Sequence, residues 1–166
     1  MRRGRSADLG SVWHHRLVAE VVGIYIARAG AAPMESLDEA RVLDHGIEGD
    51  RYTAGTGTWS DSPGGGRHVT LIESETIAAL ARDHGVYVDS GDARRNIVTE
   101  GVALNHLVGR EFTIGEVVLR GIRLCEPCRE LEQATVPGVR VALVHRGGLR
   151  ADVVRGGTIS VGDAIA

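Results

Sequence analysis

The residues with the sharpest chemical character are Cys125 and Cys128, three positions apart in Leu124-Cys125-Glu126-Pro127-Cys128-Arg129. A thiolate is a soft nucleophile and a soft metal ligand, so this pair admits three chemistries. A redox couple of this spacing follows a strand and opens a helix, whereas the surroundings here read as β. A structural zinc site needs four ligands, and the chain offers seven histidines but no second CxxC and no HxxxH to complete the set. The third chemistry uses one thiol as nucleophile, sulfur carrier or metal ligand, with the cations Arg123 and Arg129 beside it to make it reactive. The plain alternative is a pair of small buried hydrophobes. A disulfide between them would close too short a loop to brace the fold.

A second polar cluster, Ala93-Arg94-Arg95-Asn96, precedes a strand-like run. In an extended segment Arg94 and Asn96 share one face and Arg95 takes the other, so Arg94 with Asn96 forms a grip for a phosphate or a pterin. A solvated charge run at a strand start accounts for the same residues equally well. In Arg67-His68-Val69-Thr70, His68 and Thr70 share a face, and His68 with its neighbour Arg67 is a candidate anion contact; His68 capping a barrel rim is the alternative. Asp50 and Arg51 read as a turn pair or as pocket residues, His145 and Arg146 as a site rim or a hairpin, and Trp59 as a lid anchor or a plug.

These residues need elements to position them. Residues 16–27, RLVAEVVGIYIA, read as a strand with a bend at Gly23. Ser36 with Glu39 three residues on has the capping-box pattern and predicts a short helix ending before Gly46. Residues 49–66 are rich in glycine, serine and threonine and predict a flexible flap, of which residues 55–66 are expected to close over a bound group. RHVTLIE predicts a strand, and SETIAALARDHG a helix with Ile77, Leu80 and Ala81 on one face and Gly85 at its C-terminus. The segments FTIGEVVLRGIRL and VRVALVHRGGLRADVVRGGTISVGDAI predict short strands separated by glycine turns.

Composition narrows the class. The chain has 166 residues, 43% hydrophobic and 25% charged, which fits one globular domain and excludes a disordered chain. Its 23 glycines against 4% aromatics favour turn-rich β structure, so the expectation is a mainly β fold with a few helices, closed as a barrel. Residues 1–12 show no periodicity and predict a flexible tail, with one domain over 13–166. Nineteen basic and 22 acidic residues leave a net charge of −3, too little field to draw nucleic acid or an anionic membrane, so any anion site is local. No apolar run is long enough to span a membrane, and with no secretory pattern the expected location is cytoplasmic.

Five segments in order, GIEGDRYTAG, RHVTLIESE, ARRNIVTEG, the CEPC segment and HRGGLRADVVRGGTISVGD, together resemble the MOSC domain, named for the C-terminal part of molybdenum cofactor sulfurases. The resemblance runs from about Val18 to the C-terminus. It implies a MOSC-type β-barrel with a reactive Cys that carries sulfane sulfur or ligates molybdenum, and that Cys is Cys128. Cys125 belongs to a variant shared by small stand-alone members, and its two-residue gap from Cys128 suits it to resolve a Cys128 persulfide. Arg94 and Asn96 match the residues that hold the pterin phosphate in molybdenum-binding relatives. The implied cofactor is molybdenum cofactor (molybdopterin), and the implied activity is sulfurtransferase-type or molybdenum cofactor-dependent. No flavin, haem or iron–sulfur motif for electron delivery is encoded. No PLP-dependent desulfurase domain is present either, so the expected partners are a separate cysteine desulfurase or a molybdoenzyme acceptor, with exposed barrel edges leaving room for a homodimer. Two other classes stay open: a non-catalytic cofactor carrier, and a zinc or redox interaction module built on the CxxC pair.

Overall fold

Alternation of apolar and polar side chains shapes residues 18–166, the part of the chain described by the computed structural model, into ten short strands. Strand β1 (Glu20–Ile26) carries a register shift between Val21 and Gly23, where the sequence predicts a bend. It is followed by β2 (Glu35–Leu37), β3 (Glu39–Leu43), β4 (Gly46–Ile47) and β5 (Val69–Glu73). Helix α1 (Ser74–His84) stops at Gly85, whose φ of 63° is left-handed and lets the Gly85 and Val86 amides donate to the carbonyls of Ala81 and Leu80. After α1 come β6 (Ile97–Glu100), β7 (Glu111–Ile114) and β8 (Val117–Leu124). Two short helices, α2 (Arg129–Ala134) and α3 (Val139–Ala142), precede β9 (Leu149–Arg155) and β10 (Gly157–Ser160).

Seven strands form one sheet in the order β2-β1-β6-β5-β9-β8-β7, and β10-β3-β4 form a second. All pairings are antiparallel except β5 with β6, and a parallel pair needs a crossover, which α1 supplies. That central pair is buried on both faces. Leu71 and Ile97 join the core shared with the small sheet, while Ile72 and Val98, one residue on, join a second core with Leu80, Leu131, Val139 and Leu143 of the helical side. The protein is mainly β with few helices, as the composition predicts.

Three expectations change. The ladders do not close into a barrel among the described residues: β2 and β7 end the large sheet, and the small sheet pairs only within itself. The C-terminal segment hydrogen-bonds to Ala19 and Val21 at the start of β1 and to Thr113 and Gly115 at β7, but it forms only the isolated bridges Glu20 to Ala164 and Ile114 to Ile165 and adds no ladder. The helix expected after Ser36 is instead strands β2 and β3. In β3 Ala40 and Val42 are buried while Glu39 and Arg41 are exposed, so a period of two, locked by pairing with β10, overrides the capping-box pattern. Conversely, residues 139–142 form α3 rather than a strand, because Val139 and Ala142, three apart, turn to the same core. The tail expected over residues 1–12 lies outside the described residues.

The start of β9 depends on one glycine. Gly148 has a φ of 101°, and a Cβ there would run into the backbone carbonyl of Leu71 in β5. We expect Gly148→Ala to lose about 2–4 kcal/mol of stability, the sum of left-handed strain and overpacking against immobile backbone. Urea unfolding checks this, and an unchanged midpoint contradicts it.

Candidate functional site: a cavity at the CxxC segment

The site is assembled from the residues just outside β1, β5 and β6. Asp50, 1% exposed, receives the amide of Ala27 at 3.1 Å, the amide of Tyr52 at 3.1 Å, the Arg51 guanidinium at 3.3 Å and the Asn96 side-chain amide at 3.2 Å. Asn96 spends its other donor on the Tyr25 carbonyl, and its Oδ1 accepts both the amide and the hydroxyl of Thr70. Four segments of the chain are thereby tied together in a network with every polar atom of the Asn96 side chain engaged.

In front of this network opens a cavity of about 540 Å³, within the range of small-molecule and cofactor sites. Arg51, Arg94, Arg95 and Arg150 line it, with Glu130 the one carboxylate. Tyr52 and Trp59 from the 49–66 segment contribute aromatic surface, so the predicted flap forms one wall. Arg94 is not extended: its φ is 56°, and its guanidinium donates to the carbonyls of Gly30 and Ala32 while lining the cavity. Burial, and next the charge of Arg51, hold its pKa below the usual arginine value. Arg95 is buried and donates to the carbonyls of Ala93, Gly147 and Cys125, which fixes the loop carrying the CxxC segment.

Both cysteines are free and both line this cavity, Cys125 at 1% exposure and Cys128 partly exposed. The surroundings are not all β: the segment follows β8 and opens α2, with Cys128 as the N-cap in extended conformation and its side chain unused for capping. Cys128 also borders a second cavity of about 190 Å³, lined otherwise by Trp59, Arg67, Arg123 and Arg150.

Of the residues singled out in the sequence, Cys125, Cys128 and Arg94 meet at the large cavity and Arg67 at the small one. Asn96 lies behind the wall, 2% exposed, with no free donor to offer. His68 lines neither cavity; its Nδ1 accepts the Val153 amide at 3.0 Å and stands 3.8 Å from Asp152. Asp50 and Arg51 do pair, and the guanidinium of Arg51 also sits 5.1 Å from the Tyr52 ring centroid. Sequence reasoning missed Arg150, whose signal was its place two residues after Gly148 in the HRGGLRAD segment. Among the described residues no three His, Cys, Asp or Glu side chains cluster as a metal site, so the zinc arrangement finds no complete ligand set there.

Fold, site and sequence converge on a class. A MOSC domain model matches residues 48–166, more than half of the chain, and the chain belongs to that family. Its fold is similar to the YuaD protein from Bacillus subtilis, at a TM-score of 0.71 and 18% identity over 90% of this chain and 94% of that one. YiiM from Geobacillus stearothermophilus follows at 0.69 and 15% identity, covering 89% and 74%, and YiiM from Escherichia coli at 0.63 and 17%, covering 88% and 68%. At such identities the likeness concerns the fold. No curated protein matches the chain.

Glu126, inside the CxxC segment, ties that loop to His145, and neither residue lines a cavity. Its carboxylate accepts the His145 amide and faces His145 Nδ1, each at 3.0 Å, and these bonds, the backbone one foremost, lower its pKa against a smaller opposing effect of burial. A lowered carboxylate favours the folded state above the unfolded midpoint of about pH 4.3, and that contribution fades as pH falls through the folded one. By NMR titration we expect Glu126 to protonate below an ordinary glutamate. His145→Gly, which keeps the amide and suits the φ of 61°, should return only part of the shift. Full return would show that the imidazole, not the amide, governs it.

Proposed function

We propose that this protein binds a pterin-type molybdenum cofactor in the large cavity, with the thiolate of Cys128 as its ligand to the metal. The observation that carries the reading is the convergence of one accessible thiol, four arginines and two aromatic rings on a single cofactor-sized cavity. The donor set suits such a group: a soft thiolate for molybdenum, guanidinium forks for an anionic phosphate, and ring faces for a flat heterocycle. The cofactor would supply a redox-active metal capable of oxygen or sulfur transfer. Arg94 would grip the phosphate, Arg95 would hold the CxxC loop in place, and Asn96 would act through Thr70 and Asp50 rather than by contact. The 49–66 segment would exclude water by closing Trp59 and Tyr52 over the bound group.

A second reading rests on both free thiols lining the same space. Cys128 would carry sulfane sulfur as a persulfide. Attack by the Cys125 thiolate on Cys128 Sγ then forms a disulfide and releases hydrosulfide, the two thiols being oxidised as the outer sulfur is reduced. A cytoplasmic setting keeps such thiols reduced between cycles, with a separate desulfurase as donor or a molybdoenzyme as acceptor. No helix among the described residues is long and apolar enough to cross a membrane.

Molybdenum content together with intact mass under non-reducing conditions, on wild type and Cys128→Ser, tests both. Cofactor binding predicts molybdenum in wild type that is lost in the variant. Sulfur carriage predicts a mass gain of about 32 Da, one sulfur atom, on wild type alone. Bare thiols and no molybdenum after incubation with cofactor and a sulfur donor would overturn both.

A further inference from the structure

The cavity of about 190 Å³ beside Cys128 has a different character from its neighbour. Three of its five lining residues are Arg67, Arg123 and Arg150, and no carboxylate lines it. None of the three arginines forms an ion pair among the described residues, although the chain as a whole carries net negative charge. Arg67 donates to the carbonyls of Pro63 and Gly64, which holds it in place, while its Nε is buried without a partner. The nearest acid along β9, Asp152, accepts the amides of Gly66 and Arg67, and its charge acts on Arg123 more weakly than burial and the neighbouring arginines do. The Arg123 side chain makes no hydrogen bond to the described residues, and its pKa is lowered by burial and then by the charges of Arg150 and Arg67, against smaller opposing effects of Cys125 and Asp152.

Three like charges against one weaker, amide-bound counter-charge raise the local potential and leave strong donors unused. The volume is below the roughly 300 Å³ at which sites for larger organic ligands begin, so it suits a compact ligand rather than a pterin. We infer that Arg67, Arg123 and Arg150 form a separate subsite for a compact oxyanion, which presents an anionic substrate group to the thiol of Cys128. This deepens the proposed function by naming the substrate class: the molecule that meets Cys128 carries a sulfate- or phosphate-like group close to its reacting atom. The Arg fork binds such oxygens in pairs, and Trp59 forms part of the wall. The anion is either free or carried on a larger ligand whose body fills the neighbouring cavity, and the two sources separate in the test.

The experiment compares alkylation of Cys128 by iodoacetate, an anion, with alkylation by neutral iodoacetamide, followed by peptide mass spectrometry. It needs neither molybdenum nor sulfane sulfur on the protein, so it can succeed where the cofactor reading fails, or the reverse. The subsite predicts that the iodoacetate to iodoacetamide rate ratio exceeds that of free cysteine about tenfold, the lower end of electrostatic focusing. Arg123→Gln should abolish the excess and Arg123→Lys should keep most of it. Because the Arg123 side chain bonds to nothing in the described fold, neither change should alter the unfolding midpoint. Millimolar sulfate should slow iodoacetate in wild type and not in Arg123→Gln. A ratio equal to that of free cysteine, or one unchanged by Arg123→Gln, overturns the subsite. Protection by a pterin phosphate but not by sulfate overturns its independence from the large cavity.

Discussion

The carboxylate of Asp50 is the interaction on which the site depends. Removing a carboxylate from water costs on the order of several kcal/mol unless its lone pairs are satisfied, and here four donors from three parts of the chain satisfy them. Each donor belongs to something the cavity needs. The Ala27 amide fixes the end of β1, the Tyr52 amide starts the glycine-rich wall, Arg51 lines the cavity, and Asn96 carries the order onward to Thr70. The same carboxylate that would destabilise the core if left alone therefore sets the position of the cavity wall.

Electrostatics at the site follows from a similar economy. Arg95 is neutralised by no acid but donates to three backbone carbonyls, so it acts as a bracket for the CxxC loop. Arg94 divides its guanidinium between backbone carbonyls and the cavity. The Arg123 side chain is bonded to nothing described, and Arg67 keeps a buried unpartnered Nε. The arginines thus differ in how far backbone carbonyls engage them, and Cys128, Trp59 and Arg150 line both cavities.

Much of this was legible in the chain before folding. The CxxC thiols, Arg94 and the wall segment around Trp59 follow from residue type and spacing, and α1 follows from its apolar period and terminal glycine. The ambiguous stretches were those where two local patterns competed. Around Ser36 a capping box opposed an alternation, and only the partner strand β10 decided for alternation. At residues 139–142 two valines promised a strand, and the core beneath the helices took them as one turn of α3.

The amino-acid sequence by itself determined the mainly β class and the chemistry available, because alternation, glycine turns and a soft thiol beside cations are local properties. Tertiary structure decided which of those groups face the same space. An extended reading put Arg94 and Asn96 side by side. The left-handed backbone at Arg94 and the pull of Asp50 on Asn96 instead sent one to the cavity and the other into the core. Arg67, Arg123 and Arg150 lie far apart in the chain and converge only because β8 pairs with β9 and the segment before β5 crosses them, a long-range arrangement no local pattern encodes.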